Sequence, residues 1–175
     1  MFRKPAILLL LLCLLTLAAC DRVKPSQNLS HQRYPLDAVG TLIYDGEEYE
    51  VALSIRKAGD LLLQVIRPEA LAGTVFELRD GQVLISCGGL TETWEDGDYA
   101  VNQGILLTAR MFSLSGKDYS GAGVITTDGE RYSYATYTAE GGTVTLYFAD
   151  KSSFPHHIRA ELAGHSLILR FVNDT

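Results

Sequence analysis

Basic residues are scarce in this sequence. Its 175 residues include 15 Lys and Arg against 21 Asp and Glu, which gives a formal net charge of −6. Nucleic-acid binding needs clustered Lys and Arg to contact phosphates, and adhesion to anionic lipid head groups needs the same charges. An acidic chain therefore argues against nucleic acid as a partner and against electrostatic adhesion to a membrane surface.

Motifs for common catalytic chemistries are also missing. The sequence contains no Gly-x-Ser-x-Gly motif of the α/β-hydrolase type, no phosphate-binding loop and no dinucleotide fingerprint. We therefore expect no catalytic residues, no cofactor and no enzymatic activity.

Cysteine is rare, with only Cys13, Cys20 and Cys87 in the chain. The first two belong to the N-terminal apolar segment and its end, so Cys87 stands alone in the body of the protein. Neither an internal disulfide nor a cysteine-based zinc site is expected. Cys87 is in phase with Val83 and Ile85 in a predicted strand, so we expect it to face the core as a small apolar side chain.

The N-terminus has the order of a signal peptide. Arg3 and Lys4 precede an apolar run from Ala6 to Leu17, and small residues follow. The run is shorter than the ~20 residues that a membrane-spanning helix needs.

The sequence Leu17-Ala18-Ala19-Cys20 resembles the lipobox of bacterial lipoproteins. This resemblance implies that residues 1–19 are a signal peptide and that Cys20 carries a diacylglycerol and a further acyl chain such as palmitate. The lipid would hold the mature chain, of net charge −8, at the extracytoplasmic face of the cell membrane. A secreted protein with a chance cysteine is the alternative. Residues 20–37, rich in Pro, Ser, Gln and Asn, predict a flexible stalk, and residues 38–175 a single domain.

The body of the chain has the pattern of a β protein. From Val39 onward, apolar and polar residues alternate between short turns such as Asp45-Gly46 and Asp80-Gly81. The clearest strand places four residues on one face, namely Tyr49, Val51, Leu53 and Ile55. Connections this short cannot form parallel crossovers, so we predict an antiparallel meander of about ten strands.

One helix is predicted, from Tyr99 to Leu114, with its end at Ser115-Gly116. Its apolar residues cover most of the circumference, which is typical of a helix buried on several sides, here across the open face of a curved sheet. One set is expected to pack together, and it comprises Val101, Ile105, Ala109 and Phe112. The candidate lid residues, expected to face a cavity, a ligand or a partner, are Leu106, Leu107 and Met111.

Histidines are the remaining candidates for chemistry. His156 and His157 are neighbours on a predicted strand, so their side chains should point to opposite faces. His165 could approach one of them across the Ala163-Gly164 turn. Two histidines without a carboxylate make a weak metal site, and the acidic run from Glu92 to Asp98 misses the spacing of a calcium loop. We expect no bound metal.

The lipobox, the stalk, the meander and the single apolar helix together resemble the LolA/LolB-type lipoprotein-carrier fold. The segment from Leu63 to Gly73 is similar to a strand, proline and glycine element of such proteins, including the GerS-type germination lipoproteins of spore-forming bacteria. The resemblance covers residues 39–172. It implies a mainly β, antiparallel meander curved into a half-barrel, with one apolar lid helix. A long amphipathic helix ahead of the first strand is lacking, which implies a small lid and a cramped cavity.

The function implied by this resemblance is binding without catalysis. The expected ligand is apolar, such as an acyl chain, or is a partner protein of the cell envelope. One alternative is a scaffold for a cell-wall amidase in sporulation or germination, the role of GerS-type proteins. Another is an envelope hydrolase with an unrecognised site around His156, His157 or His165.

Overall fold

A computed structural model describes residues 29–94, 100–139, 142–149, 152–162 and 164–172; Cys20 and the acidic residues 95–98 lie outside these ranges. Within these ranges the chain forms eleven strands: Leu36–Tyr44 (β1), Glu47–Ile55 (β2), Leu61–Arg67 (β3), Val75–Arg79 (β4), Gln82–Cys87 (β5), Leu90–Trp94 (β6), Tyr119–Thr127 (β7), Glu130–Ala139 (β8), Gly142–Ala149 (β9), His157–Leu162 (β10) and His165–Phe171 (β11). The described α-helix, α1, spans Ala100–Met111.

All the strands belong to one antiparallel sheet, in the order β6-β5-β4-β3-β2-β1-β11-β10-β9-β8-β7. Strands β1 to β6 are neighbours in sequence order, and so are strands β7 to β11. The two halves join in the middle of the sheet, where β1 pairs with β11 and Leu42 lies opposite Leu169. Strands β6 and β7 therefore lie at opposite edges, and the sheet is open. The predicted fold class, a mainly β antiparallel meander with one helix, is confirmed.

The position of α1 follows from this strand order. The helix connects β6 to β7 in sequence, and these strands are the two edges, so the chain has to cross the sheet between them. In crossing it contacts β4, β10 and β11. Ile105, Leu107 and Met111 keep 4%, 2% and 0% of their surface exposed. A helix that crosses the inner face of a curved sheet meets protein on several sides, as its apolar circumference predicted.

The C-terminal end of α1 is Met111, three residues before the predicted end at Leu114. After Met111 the amides of Phe112 and Ser113 bond to the carbonyls of Ala109 and Arg110, three residues back, which is the tighter hydrogen-bonding of a final turn. Ser115, which the sequence suggested as the stop, instead caps the following 3-10 turn. None of the helices in the described ranges is long and apolar enough to cross a membrane.

Part of the expected stalk belongs to the folded domain. Residues Ser30–Gln32 form a 3-10 turn, His31 is fully buried, and β1 begins at Leu36. The boundary at residue 38 is therefore too late. Polar composition indicated a stalk, but a buried polar side chain with a hydrogen-bond partner is compatible with a folded segment.

Cys87 is exposed, which corrects the expectation that it faces the core. It shares a strand with Val83, which is fully buried. Cys87, however, pairs with Leu90 at the turn end of the β5–β6 hairpin. Leu90 is 80% exposed, so this end of the hairpin extends beyond the core. Alternation along a strand gives the face of a side chain, but it does not say how far the core reaches along that face.

Candidate ligand site

A small apolar cavity lies between α1 and the inner face of the sheet. Its volume is about 180 Å³. The residues that line it come from β1 to β4, from the turn after β3 and from α1: Leu42, Tyr44, Tyr49, Val51, Leu63, Val65, Leu71, Phe76, Gly104 and Ile105. A dry engineered cavity of roughly 150 Å³ accepts benzene, so this space fits a short alkyl chain or a single ring.

Glycine at position 104 sets one wall of the cavity. A Cβ atom at this position would lie 3.5 Å from the ring of Tyr44, at ordinary contact distance. The backbone of α1 can therefore lie close to Tyr44, and nothing larger than a hydrogen projects from Gly104. A longer side chain here would extend toward the cavity.

The cavity reaches the surface at Leu71. This residue lies in the 3-10 turn Glu69–Leu71, lines the cavity and is 43% exposed. The turn is held at its base, because the amide of Gly73 bonds to the carbonyl of Val65 and the amide of Val65 bonds to the carbonyl of Thr74. Gly73 has a φ of +83°, which a residue with a side chain adopts at a cost. Leu71 thus forms an exposed apolar lip at the mouth.

A polar network holds Tyr44 in the cavity wall. The Tyr44 ring stacks on His165, with centroids 5.7 Å apart, and its hydroxyl lies 3.1 Å from His165 Nδ1. His165 Nδ1 is also 2.7 Å from Asp45, and because a carboxylate can only accept, we assign the proton to this nitrogen. The hydrogen bond from His165, and then the backbone N–H of Ser166, lower the pKa of Asp45. Burial, and then the charge of Asp45, raise the pKa of Tyr44.

His165 is therefore not close to the other two histidines. It pairs with Leu162 at one end of the β10–β11 hairpin, whereas His157 pairs with Arg170 at the other. The expected approach across the turn is wrong, because antiparallel pairing places residues near the turn far from those at the open end. The three histidines form no common site.

His156 and His157 point to the same side, which corrects the prediction of opposite faces. Their Nδ1 atoms are 3.0 Å apart. His156 precedes β10, so the alternation of a strand does not apply to it. The His157 ring stacks on the Tyr147 ring, with the ring centroids 4.3 Å apart. Burial, followed by the charges of His156 and Arg170, lowers the pKa of His157 to about 4. The described residues include no group of three or more His, Cys, Asp or Glu placed to hold a metal ion.

The candidate lid residues have different environments. Leu107 lines a second, more polar groove of about 440 Å³ together with Arg110 and Glu161. Met111 is fully buried and Leu106 is half-buried. Ile105, expected to pack away from any cavity, lines the apolar one. The side chain of Val101 lies outside the described residues.

Gly104, Tyr44 and Leu71 are site residues that the sequence reasoning missed. A glycine inside a helix costs about 1 kcal/mol relative to alanine, and that cost is itself a signal of close packing or of a site. Tyr44 and Leu71 carry no comparable signal, since only the sheet order brings them to α1.

The N-terminal segment holds the end of α1. His31 Nε2 donates to the carbonyl oxygen of Met111 at 2.8 Å, and the Tyr34 hydroxyl donates to the carbonyl of Phe112. The last carbonyls of a helix have no partner within the helix, so these two side chains satisfy them. The His31 ring also lies 5.6 Å from the Phe112 ring. Through these contacts, the segment that follows Cys20 in sequence is fixed to the helix that covers the cavity.

No protein-family model matches the sequence, and no curated protein matches it significantly. The fold is similar to several solved structures. For lipoprotein LppX of Mycobacterium tuberculosis, the TM-score is 0.48 at 11% identity, covering 85% of this chain and 91% of that chain. For a LolA superfamily protein of Nitrosomonas europaea, the TM-score is 0.42 at 12% identity, covering 85% of this chain and 89% of that chain. For LprF of Mycobacterium bovis, the TM-score is 0.45 at 11% identity, covering 85% of this chain and 90% of that chain. These likenesses concern chain path alone, and no residue here takes a role from them.

Proposed function

We propose that this chain is a lipid-anchored protein of the cell envelope that binds an apolar ligand between α1 and the sheet, without catalysis. The anchor is the acylated thiol of Cys20, outside the cytoplasm. The observation that carries the binding function is the cavity: a space of about 180 Å³ with aliphatic and aromatic walls. A carrier needs a site lined by apolar side chains, whereas an enzyme needs convergent polar groups.

The size and opening of the cavity set the kind of ligand. Ligand pockets for drug-sized molecules usually measure about 300–1,000 Å³, so this space takes one short chain or ring. Leu71 at the mouth allows a longer chain to continue into solvent or along the protein surface. An acyl chain whose end enters the cavity fits this arrangement.

Filling the cavity is the test of the proposal. We expect 1-octanol to bind the wild-type domain and Gly104→Leu to weaken that binding at least tenfold, because the new side chain occupies the space. Isothermal titration calorimetry measures the affinity, and circular dichroism checks that the variant is folded. Gly116→Leu is the matched control, because a Cβ atom at Gly116 meets nothing within 4 Å. Equal octanol binding by wild type and a folded Gly104→Leu variant would place the ligand elsewhere.

A further inference from the structure

The mouth of the cavity is aromatic as well as aliphatic. Tyr44, Tyr49 and Phe76 all line the cavity and are half-buried. Tyr44 is enclosed by Gly104 and His165, whereas the structure assigns Tyr49 no ring partner among the described residues. Aromatic rings at the entrance of an apolar site attract cations, because the ring face carries partial negative charge.

The two segments that carry Tyr44, Tyr49 and Leu71 are strongly acidic. Residues 44–50 and 67–71 contain five carboxylates and one guanidinium; the carboxylates are Asp45, Glu47, Glu48, Glu50 and Glu69. Arg67 is paired with Glu50 at 3.3 Å, so the only guanidinium in the two segments is already matched. The described ion pairs include none with Glu47 or Glu69.

Glu48 also has no described ion pair, but it lies on the opposite strand face from Tyr49, so Glu47 and Glu69 are the unmatched carboxylates next to the opening. Glu47 is the register partner of Tyr44, whose ring lines the cavity, and it lies on the same strand face as Tyr49. Glu69 shares its 3-10 turn with Leu71 at the lip. Negative potential is therefore concentrated where the polar end of a bound ligand would emerge.

We infer that the ligand is an amphiphile with an ammonium head group, whose alkyl tail fills the cavity and whose head lies at the aromatic, acidic mouth. This inference rests on the proposed function and names the chemical class of its ligand. Tyr49 and Phe76 supply the ring surfaces, and Glu47 and Glu69 supply the compensating charge. An amphiphile with a carboxylate or phosphate monoester head meets the same charges as repulsion.

Three ligands with the same octyl tail separate tail binding from head-group selection. At low ionic strength we expect octyltrimethylammonium to bind about tenfold more tightly than octanoate, with uncharged 1-octanol between them. Titration calorimetry on the wild-type domain gives the three affinities. Octanoate binding as tightly as octyltrimethylammonium would overturn the inference while leaving the cavity proposal intact. Failure of all three ligands to bind would overturn both.

Two double variants test which carboxylates act. Glu47→Gln/Glu69→Gln should weaken octyltrimethylammonium binding about fivefold and leave 1-octanol unchanged, because at low ionic strength a carboxylate attracts a cation over a Debye length of roughly 10 Å or more. Asp128→Asn/Glu161→Gln removes the same net charge from the β7–β8 turn and from β10, and should change neither affinity. Asn tolerates the positive φ of 54° at position 128. An equal loss in both double variants would mean that net charge, and not the mouth, selects the head group.

Discussion

Replacing Cys20 with alanine is expected to release nearly all of the protein from the membrane fraction and to abolish incorporation of a palmitate analogue. The physical reason is that acyl chains contribute about 0.8 kcal/mol per buried methylene, so two or three chains are enough to hold a protein at a membrane. The acidic body of the chain adds repulsion from anionic lipids. Cell fractionation and metabolic labelling measure the two effects.

Cys87→Ala is the matched control for this experiment, because Cys87 is the other cysteine downstream of the predicted signal peptide and its thiol is exposed. It should retain both labelling and membrane association. Continued labelling of Cys20→Ala, or its full retention with membranes, would contradict the lipid anchor.

Replacing His31 with alanine is expected to lower the free energy of unfolding by about 2–4 kcal/mol. The side chain is fully buried and donates to the Met111 carbonyl, so its removal leaves both a cavity and an acceptor without its donor. Tyr34→Phe removes only the hydroxyl that bonds to the Phe112 carbonyl, and should cost about 1 kcal/mol. Urea unfolding followed by circular dichroism gives both values.

Arg33→Ala provides the comparison within the same segment. Arg33 is exposed, so its truncation should change the free energy of unfolding by no more than about 0.5 kcal/mol. If His31→Ala costs no more than Arg33→Ala, the N-terminal segment does not hold the end of α1.

The local features of the fold could be predicted from the sequence. Asp45, Asp80 and Asp128 each precede a glycine and have positive φ, which is the backbone that tight hairpin turns require. The alternation in β2 is confirmed by Val51, Leu53 and Ile55, which keep 0%, 2% and 1% of their surface exposed. Turn chemistry and alternation act between near neighbours, so one sequence contains the information they need.

The long-range features could not be predicted in the same way. The pairing of β1 with β11 joins residues more than 120 positions apart, and no turn or alternation specifies it. Because of that pairing, β6 and β7 lie at opposite edges of the sheet, and α1, which connects them, has to cross the sheet. The cavity depends on the same strand pairing, because Leu42 and Val65 lie close to Ile105 only after the sheet is assembled. His31 was assigned to the stalk for the same reason: its partner, Met111, is 80 residues away.

The central claim is that a ligand's apolar tail lies between α1 and strands β1 to β4. The most direct measurement is a methyl-detected NMR experiment on the domain with 1-octanol, recording intermolecular nuclear Overhauser effects. We predict contacts from the octyl chain to methyl groups of Ile105, Val51 and Leu63, which line the apolar cavity. Contacts only to methyl groups of Leu114 and Val144, which line the polar groove, or no contacts at saturating ligand, would contradict the claim.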